Sequence, residues 1–153
     1  WEAKMKFKPK KNLEEAGISV YQKDINFVNL TVQKIGNEHF VKVTVKEKNN
    51  QVTAMTDSAK IPNTEVKAFK SKALTNYAGE ILLKIASKNG KYLYFFSLNG
   101  GASYEKLAET PDNIVLGMMY TGANVGMYAS SNGQKTSGYA DFDWVNYKGF
   151  VKY

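Results

Sequence analysis

The residues best suited to acid–base chemistry are two pairs of carboxylates, Asp141 and Asp143 near the end of the sequence and Glu14 and Glu15 near its beginning. Hydrolysis of a glycosidic bond requires two carboxyl groups that flank the bond from opposite sides. Asp141 and Asp143 alternate along one predicted strand and therefore lie on the same side of it. Glu14 and Glu15 are adjacent, and we expect both in a solvated turn. Neither pair has the required geometry, so we predict that the chain contains no catalytic residue.

A histidine and a metal site are the remaining candidates for chemistry. His39, the one histidine in the sequence, precedes a predicted strand, where a turn or surface residue is favoured over a catalytic base. Asp141 and Asp143 are weak candidates for a calcium site, because Ca²⁺ prefers carboxylate oxygens. The favoured alternative is that these acids are exposed or hydrogen-bonded to nearby backbone. No cofactor other than this candidate calcium is expected.

Charge and composition narrow the classes of partner. The chain has 153 residues and a net charge of +7, and all 21 of its basic residues are lysine. Nucleic-acid recognition relies heavily on the bidentate arginine fork, so nucleic acid is not an expected partner. Lysines that alternate with apolar residues are typical of the wet face of half-buried strands. No apolar run approaches the roughly 20 residues that span a bilayer, so no membrane partner is expected. The absence of cysteine excludes disulfides and leaves the compartment open.

Apolar residues recur with a period of two along most of the chain, which is the pattern of half-buried strands. Asn-Gly and related turn pairs separate these runs. Many short strands at this spacing predict an all-β fold, a two-sheet antiparallel β-sandwich that forms a single domain over residues 1–153. We expect no helix beyond a short turn near Asp112–Ile114. Strands are predicted around residues 3–7, 16–21, 28–33, 41–46, 51–56, 66–70, 79–87, 91–98, 104–107, 124–129 and 139–147.

The segment Lys91–Leu98 is apolar on both faces, which predicts a central strand. Leu93 and Phe95 share one of these faces and are expected to form an interface. Their partner would be additional N-terminal strands, a neighbouring domain or a second subunit, and an exposed sugar platform is the alternative. Trp144 alternates with Phe142, which favours packing over stacking on a ligand.

Four segments in collinear order resemble the C-terminal β-sandwich of family 43 glycoside hydrolases, the β-xylosidase and α-L-arabinofuranosidase group. These segments are MKFKP with EEAGISVYQ (Met5–Pro9, Glu14–Gln22), GEILLKIASKNGKYLYFFSLNGGASYEKL (Gly79–Leu107), YTGANVGMYA (Tyr120–Ala129) and ADFDWVNY (Ala140–Tyr147). The resemblance runs over nearly the whole chain and implies a jelly-roll sandwich of the concanavalin A-like type. Because the family domain has further strands before the position of Trp1, the resemblance implies that this chain lacks N-terminal strands and belongs to a longer multidomain hydrolase.

The resemblance also implies a division of labour between two domains. In the family, an upstream five-bladed propeller carries the catalytic carboxylates and hydrolyses with inversion, while the sandwich packs against it. The segment entering the YTG motif is then expected to contribute to substrate binding, with Tyr120 as the first candidate and Met119 and Asn124 as its neighbours. A tyrosine suits this role because its ring stacks on a sugar and its hydroxyl can hydrogen-bond. A tyrosine that merely caps the core is the alternative. Asn124 stands where an apolar or aromatic residue is frequent, which would reduce the area of a pocket wall.

Three functions therefore stay open. The favoured one is a non-catalytic accessory domain of a hydrolase that acts on xylan- or arabinan-type plant polysaccharide. The others are an independent carbohydrate-binding module and a purely structural interaction domain. The expected partners are the catalytic propeller of the same polypeptide and a xylo- or arabino-oligosaccharide. Polysaccharide chemistry favours a secreted or periplasmic protein, with the cytoplasm as the alternative, and the oligomeric state is left open.

Overall fold

The computed structural model describes residues 1–24, 26–46, 66–115 and 122–149. The strands are β1 (Glu2–Lys6), β2 (Glu15–Lys23), β3 (Asn26–Ile35), β4 (Glu38–Lys46), β5 (Val66–Ala73), β6 (Glu80–Lys88), β7 (Lys91–Ser97), β8 (Glu105–Pro111), β9 (Asn124–Ser130) and β10 (Asp141–Asn146). They form two five-stranded sheets, a first sheet in the order β10-β1-β6-β7-β8 and a second in the order β5-β4-β3-β2-β9. All pairings are antiparallel. The expected all-β sandwich is confirmed.

The second sheet forms because its central strands alternate apolar with polar residues. In β2, β3 and β4 the apolar residues fall directly opposite one another in the register and therefore share one face of the sheet. This face packs against the first sheet, where each buried valine or leucine contributes about 1.5–3 kcal/mol relative to an exposed one. The apolar rows are Ala16, Ile18 and Val20, then Val28, Leu30 and Val32, then Val41, Val43 and Val45, all buried.

The first sheet places β7 between β6 and β8, which confirms that this strand is internal. Tyr94 is fully buried at its centre, and its hydroxyl is hydrogen-bonded to that of Thr110 at 2.7 Å. The turn from β6 to β7 uses Asn89 and Gly90 at φ of 52° and 71°, the left-handed conformations that a tight hairpin requires. The inner row of β7 thus completes the core, and its alternate residues face outwards.

Two further predictions concern the turn near residue 112 and the strand around residues 51–56. The short turn near residue 112 is confirmed as a 3-10 helix, Asp112–Ile114. The strand expected around residues 51–56 lies outside the described residues. Within the described parts of the chain, no helix is long and apolar enough to cross a membrane.

Candidate functional site

Of the three predicted substrate-binding residues, the structure describes only Asn124. Tyr120 and Met119 lie outside the described residues. Asn124 is the first residue of β9; it is exposed and lies directly opposite Tyr21 of β2. Tyr21 in turn lies opposite Phe27 of β3, so these three side chains share the outer face of the second sheet.

The same strand exposes residues that should be core. Val125 and Met127 lie directly opposite Val20 and Ile18, which are buried, so they face the inside of the sandwich. Yet Val125 is 39% and Met127 58% exposed. β9 and β10 are edge strands of their two sheets, and Val145 of β10, which pairs with buried Ala3, is also 50% exposed. The sandwich therefore has one edge at which its apolar interior is uncovered, which we call the open edge (Val125, Met127 and Val145).

A cleft of about 560 Å³ lies beside the open edge. Val20 and Val125 line it from the second sheet, and Ile85 and Tyr92 line it from the first. The cleft therefore enters between the two layers. Among the described residues that line it, Glu2 is the one acid, so these residues include no pair of carboxylates. Sequence reasoning missed this feature, since the alternation in β9 is the same as in a fully covered strand.

Leu93 and Phe95, the expected interface residues, lie on the outer face of the first sheet. Both are half-buried and line a groove of about 450 Å³ together with Tyr104. The ammonium group of Lys84 lies 5.1 Å from the centre of the Tyr104 ring, and the Tyr104 hydroxyl donates a hydrogen bond to the carboxylate of Glu2. The groove is thus apolar at its floor and charged at its rim.

Of the candidate calcium ligands Asp141 and Asp143, the second is paired with two lysines. The carboxylate of Asp143 lies 3.2 Å from the ammonium group of Lys6 and 3.3 Å from that of Lys4. These two cations, Lys6 first, hold the pKa of Asp143 below its ordinary value. Asp141 lies opposite Lys6 in the register. Across the described residues, no three acids or histidines come together to hold a metal ion.

The register of β10 shifts at Asp143, which changes the interpretation of Trp144. Phe142 pairs with the buried Met5, but Trp144 pairs with Lys4 because one residue bulges out between them. Phe142 therefore faces the core, whereas Trp144 lies on the outer face and is 41% exposed. The expectation that both pack alike is wrong, because the bulge breaks the alternation.

The sequence predicts that Glu14 lies in a solvated turn, and this prediction is wrong. The residue is only 3% exposed. Its carboxylate accepts hydrogen bonds from the backbone N–H groups of Lys10 and Lys11 at 2.7 and 3.0 Å and from the hydroxyl of Thr136. Burial raises the pKa of Glu14, but the hydrogen bonds from Thr136 and from the two backbone groups outweigh it, and the net pKa is lowered. Glu14 thus joins the β1–β2 loop to the β9–β10 loop. Its side chain is buried because it lies between these two loops.

Glu15 is also buried, and the expectation of a solvated turn is wrong for it too. Its carboxylate lies 2.7 Å from the ammonium group of Lys42, with the two side chains 10% and 13% exposed. The hydroxyl groups of Tyr128 and Thr31 donate to the same carboxylate at 3.2 and 3.4 Å. Burial and the negative charge of Glu15 raise the pKa of Tyr128. This network joins four strands of the second sheet through the carboxylate of Glu15.

His39 lies within β4 rather than in a turn, and its ring packs on that of Tyr77 with centroids 5.3 Å apart. Its Nε2 atom is buried and has no hydrogen-bond partner among the residues that the structure describes. Burial, reinforced by the charge of Lys34, lowers the pKa of His39. The lowered pKa favours the neutral form of the imidazole, which packs on the ring of Tyr77.

Comparison with known proteins identifies the fold family. The family described as the β-xylosidase C-terminal concanavalin A-like domain matches residues 1–148. The chain belongs to this family. It is 32% identical over 151 residues to a protein of Bacteroides ovatus named non-reducing end α-L-arabinofuranosidase, and the match covers 95% of this chain and 25% of that protein.

Two solved structures have the same arrangement of strands. The GH43B protein of the Bacteroides ovatus xyloglucan PUL superposes with a TM-score of 0.71 at 27% identity, over 94% of this chain and 25% of that one. The GH43 protein BlXynB of Bacillus licheniformis gives a TM-score of 0.72 at 22% identity, over 94% and 26%, and at this identity it shows the fold alone. The chain spans about a quarter of the length of these relatives. The concanavalin A-like family expected from the sequence is confirmed as that of a family 43 C-terminal domain.

Proposed function

We propose that this domain is the non-catalytic accessory part of a hydrolase that acts on xylan- or arabinan-type plant polysaccharide. The observation that carries the proposal is the open edge, where residues that face the core are left uncovered. Val125, Met127 and Val145 average about half exposure there, although their strand neighbours are buried. A free domain gains nothing from apolar side chains in this position, whereas a domain that packs against a neighbour does. Action on plant polysaccharide supports a secreted or periplasmic location.

The occupant we propose for the open edge is the rest of the same polypeptide, with the catalytic propeller as its largest part. The relatives are about four times as long as this chain, since it covers 25% of each, which leaves room for that domain. The carboxylates described here support the same conclusion. Glu14 and Glu15 are held by structural hydrogen bonds, and Asp143 is held by two lysines.

The hydrolytic part of the proposal is tested by comparing two proteins. The isolated chain and the full protein are each incubated with aryl β-xylosides and aryl α-arabinofuranosides. We expect release of the aryl group by the full protein and none by the isolated chain. Hydrolysis by the isolated chain would contradict the accessory role, and its folded state is checked by circular dichroism so that inactivity is not the result of unfolding.

The segment that leads into β9 is proposed to line the substrate pocket, with Tyr120 contributing its ring and Met119 and Asn124 as neighbours. The support is the position of Asn124, exposed at the start of an edge strand. In the full protein, Tyr120→Ala is expected to raise KM for short xylo- or arabino-oligosaccharides. Tyr139→Ala is the matched control, because Tyr139 is 74% exposed in the β9–β10 loop. Equal kinetics in both variants would favour a purely structural interaction domain, which the apolar groove at Leu93 and Phe95 also supports.

A further inference from the structure

The outer face of the second sheet carries a row of four side chains with complementary chemistry. Asn124, Tyr21, Phe27 and Lys46 lie directly opposite one another on β9, β2, β3 and β4. Adjacent strands lie about 4.8 Å apart, so the row is about 14 Å long. It presents a carboxamide, a phenol, a phenyl ring and an ammonium group in that order, and we call it the Tyr21 row.

The two rings of the Tyr21 row are arranged as a ledge. The planes of Tyr21 and Phe27 are nearly parallel, at 21°, with centroids 6.4 Å apart. The ammonium group of Lys46 lies 5.8 Å from the centre of the Phe27 ring, so Phe27 is partly covered. Tyr21 is 43% exposed and is therefore the ring of this pair that is open to a ligand.

The next row along the strands is polar and buried. Ser19, Asn29 and Thr44 lie opposite one another and are 7%, 4% and 7% exposed. The hydroxyl oxygen of Thr44 has no hydrogen-bond partner among the described residues. The ledge thus borders a buried row of hydroxyl and amide groups, which differs from the apolar groove on the other sheet.

We propose that the Tyr21 row is a binding site for an uncharged polysaccharide chain. A sugar ring has an apolar C–H face and a rim of hydroxyl groups. The face would stack on Tyr21, and the hydroxyls would hydrogen-bond to the carboxamide of Asn124 and the phenol oxygen of Tyr21. The length of the row suits a short run of sugar units rather than one. The ligand class rests on the proposed function; the row shares Asn124 with the segment proposed to line the substrate pocket, whereas Tyr21, Phe27 and Lys46 belong to other strands.

The alternative explanation is that Tyr21 and Phe27 form a cross-strand aromatic pair that only stabilises the sheet. That explanation accounts for the contact between Tyr21 and Phe27. It does not account for an exposed tyrosine with an exposed carboxamide directly beside it. Only a binding site requires polysaccharide to bind the Tyr21 row, so a binding measurement distinguishes the two explanations.

The test is affinity electrophoresis of the full protein in gels that contain soluble neutral arabinoxylan or linear arabinan. Wild-type protein is expected to be retarded. Tyr21→Ala is expected to weaken binding about three- to tenfold, the size of one lost ring-stacking contact. Tyr21→Phe retains the ring and is expected to keep most of the binding. Tyr139→Ala removes an exposed tyrosine elsewhere and is the matched control.

Thermal unfolding shows whether each variant is folded. If Tyr21→Ala does not fold, Asn124→Ala replaces it, because Asn124 is exposed, and a loss of about threefold is expected from one hydrogen bond. Wild-type protein that is not retarded, or equal retardation of folded Tyr21→Ala and Tyr139→Ala, would overturn the proposal. Neither result would affect the accessory role, which fails only if the isolated chain hydrolyses aryl glycosides.

Discussion

Replacing Glu14 by glutamine is expected to destabilise the domain by about 1–2 kcal/mol, because the carboxylate accepts hydrogen bonds from both loops that it joins. The backbone N–H groups of Lys10 and Lys11 both donate to one oxygen of Glu14, and the Thr136 hydroxyl donates to the other. A glutamine oxygen still accepts the backbone donors but lacks the charge, which accounts for the moderate loss. Glu14→Ala leaves the donors without this acceptor, and a loss of about 3–5 kcal/mol is expected.

The assay is thermal and urea unfolding, with Glu38→Gln as the control because Glu38 is exposed. For a domain of this size, Glu14→Gln should lower Tm by about 2–8 °C. The pH dependence gives a second readout. The pKa of Glu14 is lowered on folding from its ordinary 4.5, so the carboxylate stabilises the fold above that pH, and this stabilisation is lost as the pH falls through the folded pKa. The difference between wild type and Glu14→Gln should therefore shrink below pH 4.5. A difference that stays constant from neutral to acidic pH would refute the reasoning.

Three further predictions concern the sheets. Lys42→Met is expected to cost about 3–5 kcal/mol by urea unfolding, because it leaves the charge of Glu15 buried and unpaired, and Glu15→Gln in the same protein should restore part of the loss. Gly17→Ala should lower Tm strongly, since the added Cβ collides with the backbone of β3, whereas Gly126→Ala on the neighbouring strand meets open space and should be nearly neutral. Adding calcium or EDTA should leave Tm unchanged, because two lysines neutralise Asp143; a rise with calcium would contradict this.

The inner rows of the second sheet follow directly from the sequence. Val28, Leu30 and Val32 alternate with polar residues, and every apolar residue of that row is buried. Alternation is reliable here because β3 has a paired strand on each side and another sheet above it. The two glutamates were harder to place, because their burial depends on contacts with residues far along the chain, such as Thr136 and Tyr128.

The candidate site was predictable only in part. The family resemblance pointed to the start of β9, where Asn124 is exposed, but it gave no reason to consider Tyr21. Tyr21 becomes a candidate only through the register, which places it between Asn124 and Phe27. In the same way, the bulge at Asp143 separates Trp144 from Phe142, and no pattern in the local sequence marks that bulge.

The open edge shows why alternation alone does not identify a core. Alternation specifies which face of a strand a side chain occupies, whereas burial also requires a layer that covers this face. Met127 meets the first condition, since it lies opposite the fully buried Ile18, and fails the second, since it is 58% exposed. Apolar side chains that face inwards at an uncovered edge promote association, which a solitary domain avoids with charges or bulges. This chain has 21 lysines, yet β9 has none. β9 has neither a charged residue nor a bulge, whereas β10 at the same edge has Asp141, Asp143 and a bulge, so β9 is the strand that a neighbouring domain is expected to cover.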